Sequence, residues 1–435
     1  MDRVEIGFLG VAVTIVLILI RVPVGVVLAT VGFIGITLLS SLRASWSIAS
    51  HVPFELIGDW NLSAVPMFLL MGYIASEAGL TKGLFQAARI FMGRVPGGLA
   101  SSTVVASALF SAASGSSVAT AASFSRIAIP EMLAARYDRG LACGCVAASG
   151  TLGALIPPSI LFILFGIFAE VSIGKLFLAG ILPGLLSAAV FILLITVRVL
   201  WTPALAPRIT MNVTRAEKLA ALRDIWPLPL LILLVIGSIF LGIVTPTEAG
   251  ALGALIALMI ALLRGGLTFG IFSRAVLDTI AGTASIFVVI VGASIFARFV
   301  ALSGMAGALT DLMGFALERP VLLIVLTSLI YIFLGMFLES VSLMLLTLPL
   351  LLPLYQVAGI DLIWFGVICV KLLEIGLVTP PVGLNVYVIK GALGDRVALG
   401  EIFRGTAWFL AADLVTLALL IAFPVISLWL PMLSN

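Results

Sequence analysis

Charged side chains are scarce in this chain. Lys, Arg, Asp and Glu make up 10% of 435 residues, where a soluble globular domain carries about 25%. With 62% of the residues hydrophobic, the deficit excludes a water-soluble fold. Histidine is rarer still. His51 is the only one, which argues against a zinc site, a Ser-His-Asp triad and haem ligation by two histidines. The three cysteines, Cys143, Cys145 and Cys369, all lie in apolar segments. They imply no disulfide framework or ligand cluster, and Cys143-Gly144-Cys145 reads as helix packing. The net charge of +3 contains nothing resembling a nucleic-acid patch. The first apolar run, residues 4–20, has no small-residue cleavage site and leads through Arg21 straight into another apolar run. It is expected to be a retained transmembrane helix, not a signal peptide.

What the chain does have is a succession of apolar runs, and about 20 residues suffice to cross a hydrocarbon core. The expected class is an all-α polytopic membrane protein with no soluble domain. The expected crossings include 4–20, 22–40, 64–79, 176–200, 227–244, 247–263, 280–300 and 403–429. The polar stretch 43–61, with Trp46, His51, Asp59 and Trp60, suits an interfacial loop. Residues 80–94, 269–278 and 305–317 are expected to lie along the interface as amphipathic segments.

Two stretches depart from this plain pattern. In residues 111–158 the polar tip Ser114-Gly115-Ser116-Ser117 joins two apolar arms too short to be comfortable spans. A further apolar segment is then interrupted by Gly150, Thr151, Gly153 and Pro157-Pro158. The pattern returns in GMFLESVSLMLLTLPLLLPL and EIGLVTPPVGLN. A shift of 223 residues brings Pro23 onto Pro246, Ser117-Val118 onto Ser340-Val341 and Pro130 onto Pro353. It also brings Asp138 onto Asp361, Gly153 onto Gly376 and Pro157-Pro158 onto Pro380-Pro381, with Pro96 and Pro320 one residue out of register. Helix-breaking residues repeating at one offset predict two homologous halves, 1–215 and 224–435. In the first half, residues 1–79 are scaffold helices, 80–95 an arm, 96–135 a hairpin and 139–170 an interrupted helix. The second repeats this with 226–300, 267–280, 320–356 and 362–391. Each half then has five crossings and one re-entrant hairpin. Five is odd, so the repeats are inverted.

On that topology sixteen of the 23 basic residues, Lys82 and Arg208 among them, fall on one side. Five fall on the other. The crowded side is the cytoplasm by the positive-inside rule, which places both termini outside.

Irregular backbone at membrane depth is tolerated only inside protein or beside a water-filled cavity. A broken helix leaves carbonyls free at one end, where a dehydrated cation fits, and N–H groups at the other, where a carboxylate fits. The first ion site is expected from Ser111 and Ser114 with the backbone at Gly153, Ile156 and Pro158. The second is expected from Gly335, Gly376, Thr379 and Val382. These oxygen-only environments suit Na⁺, at least two ions in all, better than Ca²⁺, which usually recruits several carboxylates. Ser116, Ser117, Ser340 and Asn385 are left to face a small polar substrate. Glu339, at the second tip, is a further candidate because intramembrane carboxylates are functional by default. The bland readings are also concrete. Serine and glycine serve close helix packing. Glu248 completes a capping box in Thr245-Pro246-Thr247-Glu248. Lys371 and Glu374, three apart, are expected to pair with each other, and Arg126 with nearby Glu131.

The segments SGSSVATAASF, SGTLGALIPPS, GIVTPTEAGALGA, GMFLESVSLMLLTLPLLLP and TPPVGLNVYV resemble the large membrane subunit of TRAP transporters (tripartite ATP-independent periplasmic transporters). The likeness covers nearly the whole chain. One departure is Glu339, where the family often has Asp. The resemblance implies an elevator-type secondary transporter of the bacterial inner membrane, driven by a Na⁺ gradient. It would import a small organic acid such as a dicarboxylate, keto acid or sialic acid. It implies two partners besides the lipid bilayer: a periplasmic substrate-binding protein and a small four-helix membrane subunit, expected as a separate polypeptide because the chain opens directly on its first span. The alternative is a stand-alone Na⁺-coupled divalent-anion carrier that needs no binding protein. A membrane-embedded enzyme is disfavoured by the lack of a nucleophile–base constellation around His51, and a passive channel by two repeats within one chain.

Overall fold

The computed structural model describes residues 2–81, 83–207 and 214–434. Lys82 and Arg208, counted above on the basic side, lie outside the described residues. Every regular element among the described residues is helical, as hydrocarbon demands of a segment that must satisfy its own N–H and C=O groups. Among the described residues five helices are long and apolar enough to cross a membrane: Ile173–Trp201, Pro246–Leu263, Phe269–Ser303, Ser340–Val357 and Leu399–Ala422. Two bent pairs, Arg139–Leu155 with Ile160–Phe168 and Arg215–Ile225 with Pro227–Phe240, bring the number to seven when each is counted as one span. Arg3–Leu19, Val24–Leu39 and Ala64–Glu77 occupy the shorter early runs.

Three expectations need correction. Residues 43–61 do not form a loop: Leu42–Ile57 is a helix, begun by Ser41, whose hydroxyl accepts from Ala44 N at 3.2 Å. His51 therefore sits on a helix, its Nδ1 2.7 Å from the Ser47 carbonyl. Residues 269–278 are not a separate arm. They begin one 35-residue helix, Phe269–Ser303, because nothing in the sequence breaks the backbone before Gly304. The last crossing ends at Ala422, and after Pro424 a short helix, Val425–Met432, follows.

The helices pack through small residues, as they do where lipid removes the hydrophobic drive for association. Val24–Leu39 runs along Phe269–Ser303. A Cβ added at Gly32 would lie 2.9 Å from Phe296 N. Ala64–Glu77 packs on both Pro246–Leu263 and Phe269–Ser303, while Arg139–Gly150 packs on Leu399–Ala422.

Both odd stretches fold as helix, tip, helix and then broken helix. The first hairpin is Gly98–Ser114 and Ser117–Ala134, turned at Gly115 with φ +60°, a left-handed conformation that glycine adopts without strain. The second is Pro320–Gly335 and Ser340–Val357. The returning arms start differently. Ser116 accepts from Ala119 N at 3.3 Å, whereas Glu339 accepts from Ser342 N at 2.9 Å and from its hydroxyl at 2.7 Å. The aligned Asp138 and Asp361 each cap the broken helix that follows, through Leu141 N at 2.8 Å and Ile363 N at 2.8 Å. The first broken helix stops at Leu155 and resumes at Ile160. The second stops at Val378 and resumes at Leu384. Both Pro-Pro bonds are cis.

Candidate functional site

The two hairpin tips meet the broken helices around one cavity of about 350 Å³. The first tip contributes Ser114 to Ala119 and the second Glu339 to Val341. The broken helices add Ala154, Ile160, Glu374 and Leu377. Tyr73 and Ser76 from Ala64–Glu77 and Ser285 from Phe269–Ser303 close the far wall. Thus Ser116, Ser117, Glu339 and Ser340, four of the five expected substrate residues, line the cavity. Asn385 does not. It is fully buried against the first broken helix, its Nδ2 donating to the Ala147 carbonyl at 3.3 Å.

Of the first expected ion set, Ser114 reaches the lining, and Ser111, Gly153 and Pro158 gather directly behind it. The Ser111 and Ser114 hydroxyls each lie 3.2 Å from the Thr120 hydroxyl. A Cβ at Gly153 would stand 3.2 Å from both Ser111 Oγ and the Ser116 carbonyl. Glycine here lets the break touch the tip. The Pro158 carbonyl lies against Gly115. The side chain of Ile156 packs onto Gly184 of Ile173–Trp201. In the second set Gly335 and Gly376 meet backbone to backbone, since a Cβ on Gly335 would sit 2.8 Å from Gly376 Cα. Thr379 is buried with its hydroxyl donating to the Ile375 carbonyl at 2.6 Å. Val382 is half-buried just after the cis bond.

Two expected pairings are corrected. Glu374 does not pair with Lys371. The Lys371 ammonium instead contacts Asp413 at 2.5 Å and donates to Ser187 at 3.1 Å. Glu374 accepts from Ser117 Oγ at 2.5 Å and from Ser340 Oγ at 3.2 Å. Glu131 does not pair with Arg126 either. It is held by Arg89 at 2.7 Å and Gln86 at 3.0 Å, and Arg126 is exposed. Glu374 is thus the functional candidate that sequence spacing missed. Its signal was there, as a carboxylate in an apolar run two residues before Gly376.

Among the described residues the lining carries two carboxylates, Glu339 and Glu374, a set of hydroxyls and the start of a helix at Ser117, but no Lys, Arg or His. Hydroxyls and an N-terminal helix end can hold a small polar or anionic group. Glu339, which is exposed, adds negative charge to the lining, while the buried Glu374 is taken up by the Ser117 and Ser340 hydroxyls.

Comparison with known proteins gives a consistent result. The family described as "Tripartite ATP-independent periplasmic transporter, DctM component" matches residues 11–426. A sialic acid TRAP transporter large permease protein of Vibrio cholerae is 34% identical over 376 residues, covering 86% of this chain and 87% of the relative. A C4-dicarboxylate TRAP transporter large permease protein of Pseudomonas aeruginosa is 34% identical over 382 residues, with 87% and 88% covered. A 2,3-diketo-L-gulonate TRAP transporter large permease protein of Escherichia coli is 32% identical, with 84% of each chain covered. Among solved structures, the YdaH transporter of Alcanivorax borkumensis superposes with a TM-score of 0.62. It covers 88% of this chain and 89% of that chain at 18% identity, a likeness of fold alone.

Proposed function

The chain belongs to the DctM component family of tripartite ATP-independent periplasmic transporters, and on that premise we propose that it imports a small organic acid driven by a Na⁺ gradient. It is a multi-pass membrane protein of the bacterial inner membrane and a transport protein, not an enzyme. The cargo is of the sialic acid, C4-dicarboxylate or keto-acid type, delivered by a periplasmic binding protein, and a small membrane subunit completes the complex. The two halves act as inverted repeats, and the body holding both hairpins moves against the remaining helices with both termini on the periplasmic side.

One observation supports this reading most. Both hairpin tips and both broken helices reach a single cavity whose lining has, among the described residues, two carboxylates and no basic side chain. An anionic cargo alone would be repelled there. Co-bound cations behind the tips, at Ser111, Ser114, Gly153, Ile156 and Pro158 and at Gly335, Gly376, Thr379 and Val382, offset that repulsion, so cargo and ions bind together. The test is uptake in proteoliposomes containing the chain, the small subunit and the binding protein, with labelled sialic acid, succinate and a keto acid as cargo. Uptake that ignores collapse of the Na⁺ gradient refutes the coupling. Full uptake without the binding protein favours the stand-alone carrier, which the match to large permease relatives disfavours.

A further inference from the structure

The aligned serines Ser117 and Ser340, 223 residues apart, begin the returning arms of the two hairpins. Their hydroxyls converge on the two oxygens of one side chain, Glu374, which is only 2% exposed. The position aligned with Glu374 in the first half is Thr151, whose hydroxyl donates to the Ala148 carbonyl of its own helix at 2.6 Å. A helix of this shape therefore does not require a carboxylate here. The neighbouring cation does not account for it, because Lys371 is engaged by Asp413 and Ser187. The remaining carboxylate on the cavity, Glu339, is engaged by Ser342 of its own arm. What Glu374 does contact is one serine from each tip.

We propose that Glu374 is a positioning residue that latches the two hairpin tips to each other while the cavity is empty. Neither tip lifts from the cavity without giving up a hydrogen bond to a buried carboxyl group, and leaving such a group unpaired costs about 1–3 kcal/mol. The latch is shared. When Ser117 leaves, the carboxylate is left with a single donor beside a cavity that can hydrate, and the grip on Ser340 loosens as water competes for the same group. Opening at one tip is thereby felt at the other. Cargo or ions entering between the tips compete with the serine hydroxyls, which ties release of the latch to occupancy. The inference rests on reading the cavity as the place where cargo is carried, but its test needs no cargo.

The test uses the full chain in proteoliposomes with single cysteines at Val118 and Val341, aligned half-buried positions on the cavity lining. The native Cys143, Cys145 and Cys369 are buried and provide a low background. Labelling by a membrane-impermeant maleimide reports tip opening. Removing the Ser117 hydroxyl (Ser117→Ala) is expected to speed labelling at Val341→Cys on the opposite tip. Ser340→Ala is expected to speed labelling at Val118→Cys. Glu374→Gln should speed both, each change being roughly ten-fold. Ser117→Ala added to Glu374→Gln should give no further increase. The serine variants keep the test open where Glu374→Gln fails to fold. The proposal is overturned when each serine substitution changes only its own tip, or when the effects of Ser117→Ala and Glu374→Gln simply add. Failure of uptake with normal cross-tip labelling would instead count against the transport reading alone.

Discussion

The buried pair between Lys371 and Asp413 yields the most quantitative prediction. Lys371 lies on the broken helix Leu362–Val378 and Asp413 on Leu399–Ala422, 3% and 1% exposed at their side chains. Their contact is backed by Ser187 from Ile173–Trp201, so one ammonium joins three helices. Removing one partner of a buried pair strands the other charge, at a cost of about 3–5 kcal/mol. Replacing both with apolar residues of similar size is often neutral. Lys371→Met and Asp413→Leu should each lower unfolding stability in detergent by that amount, read from tryptophan fluorescence during chemical denaturation. The double variant should recover to within about 1–2 kcal/mol of the parent. Ser187→Ala, which removes only a neutral acceptor of the ammonium, should cost about 1 kcal/mol. A double variant as unstable as the worse single one would refute the reasoning, because the loss would then come from packing and not from a stranded charge.

Other outcomes follow from the same geometry. Gly376→Ala places a Cβ 2.6 Å from Gly335 Cα. The two backbones must separate, at a cost of about 1–3 kcal/mol, and Na⁺-stimulated uptake should fall with the stability measured in parallel. Ser114→Ala should raise the Na⁺ concentration for half-maximal uptake only modestly, because the backbone oxygens around it remain. Thr379→Val should do the same at the second break, and unchanged Na⁺ dependence in both would make these hydroxyls packing elements. Gly405→Ala should prevent the close approach of Leu399–Ala422 to Gly140. It is expected to be the most damaging of the glycine substitutions, read as loss of monodisperse protein on size exclusion.

The sequence alone determined the class, the two hairpins and the two breaks. Those features are local in the chain. The length of an apolar run decides whether it can cross a membrane, and glycine, proline and capping Asp or Ser fix where a helix starts and stops. Five of the cavity's polar residues, Ser114, Ser116, Ser117, Glu339 and Ser340, could be named because they sit at the tips that such punctuation marks. Only the tertiary structure decided which charges meet. Lys371 and Glu374 are three residues apart, yet Lys371 finds Asp413 on another helix and Glu374 finds a serine from each hairpin. Glu131 likewise finds Arg89 instead of Arg126. Sequence spacing gives the face of a helix a side chain occupies. It does not give the helix that packs against that face, and inside a membrane a buried charge takes whichever opposite charge or hydroxyl its packing partner presents.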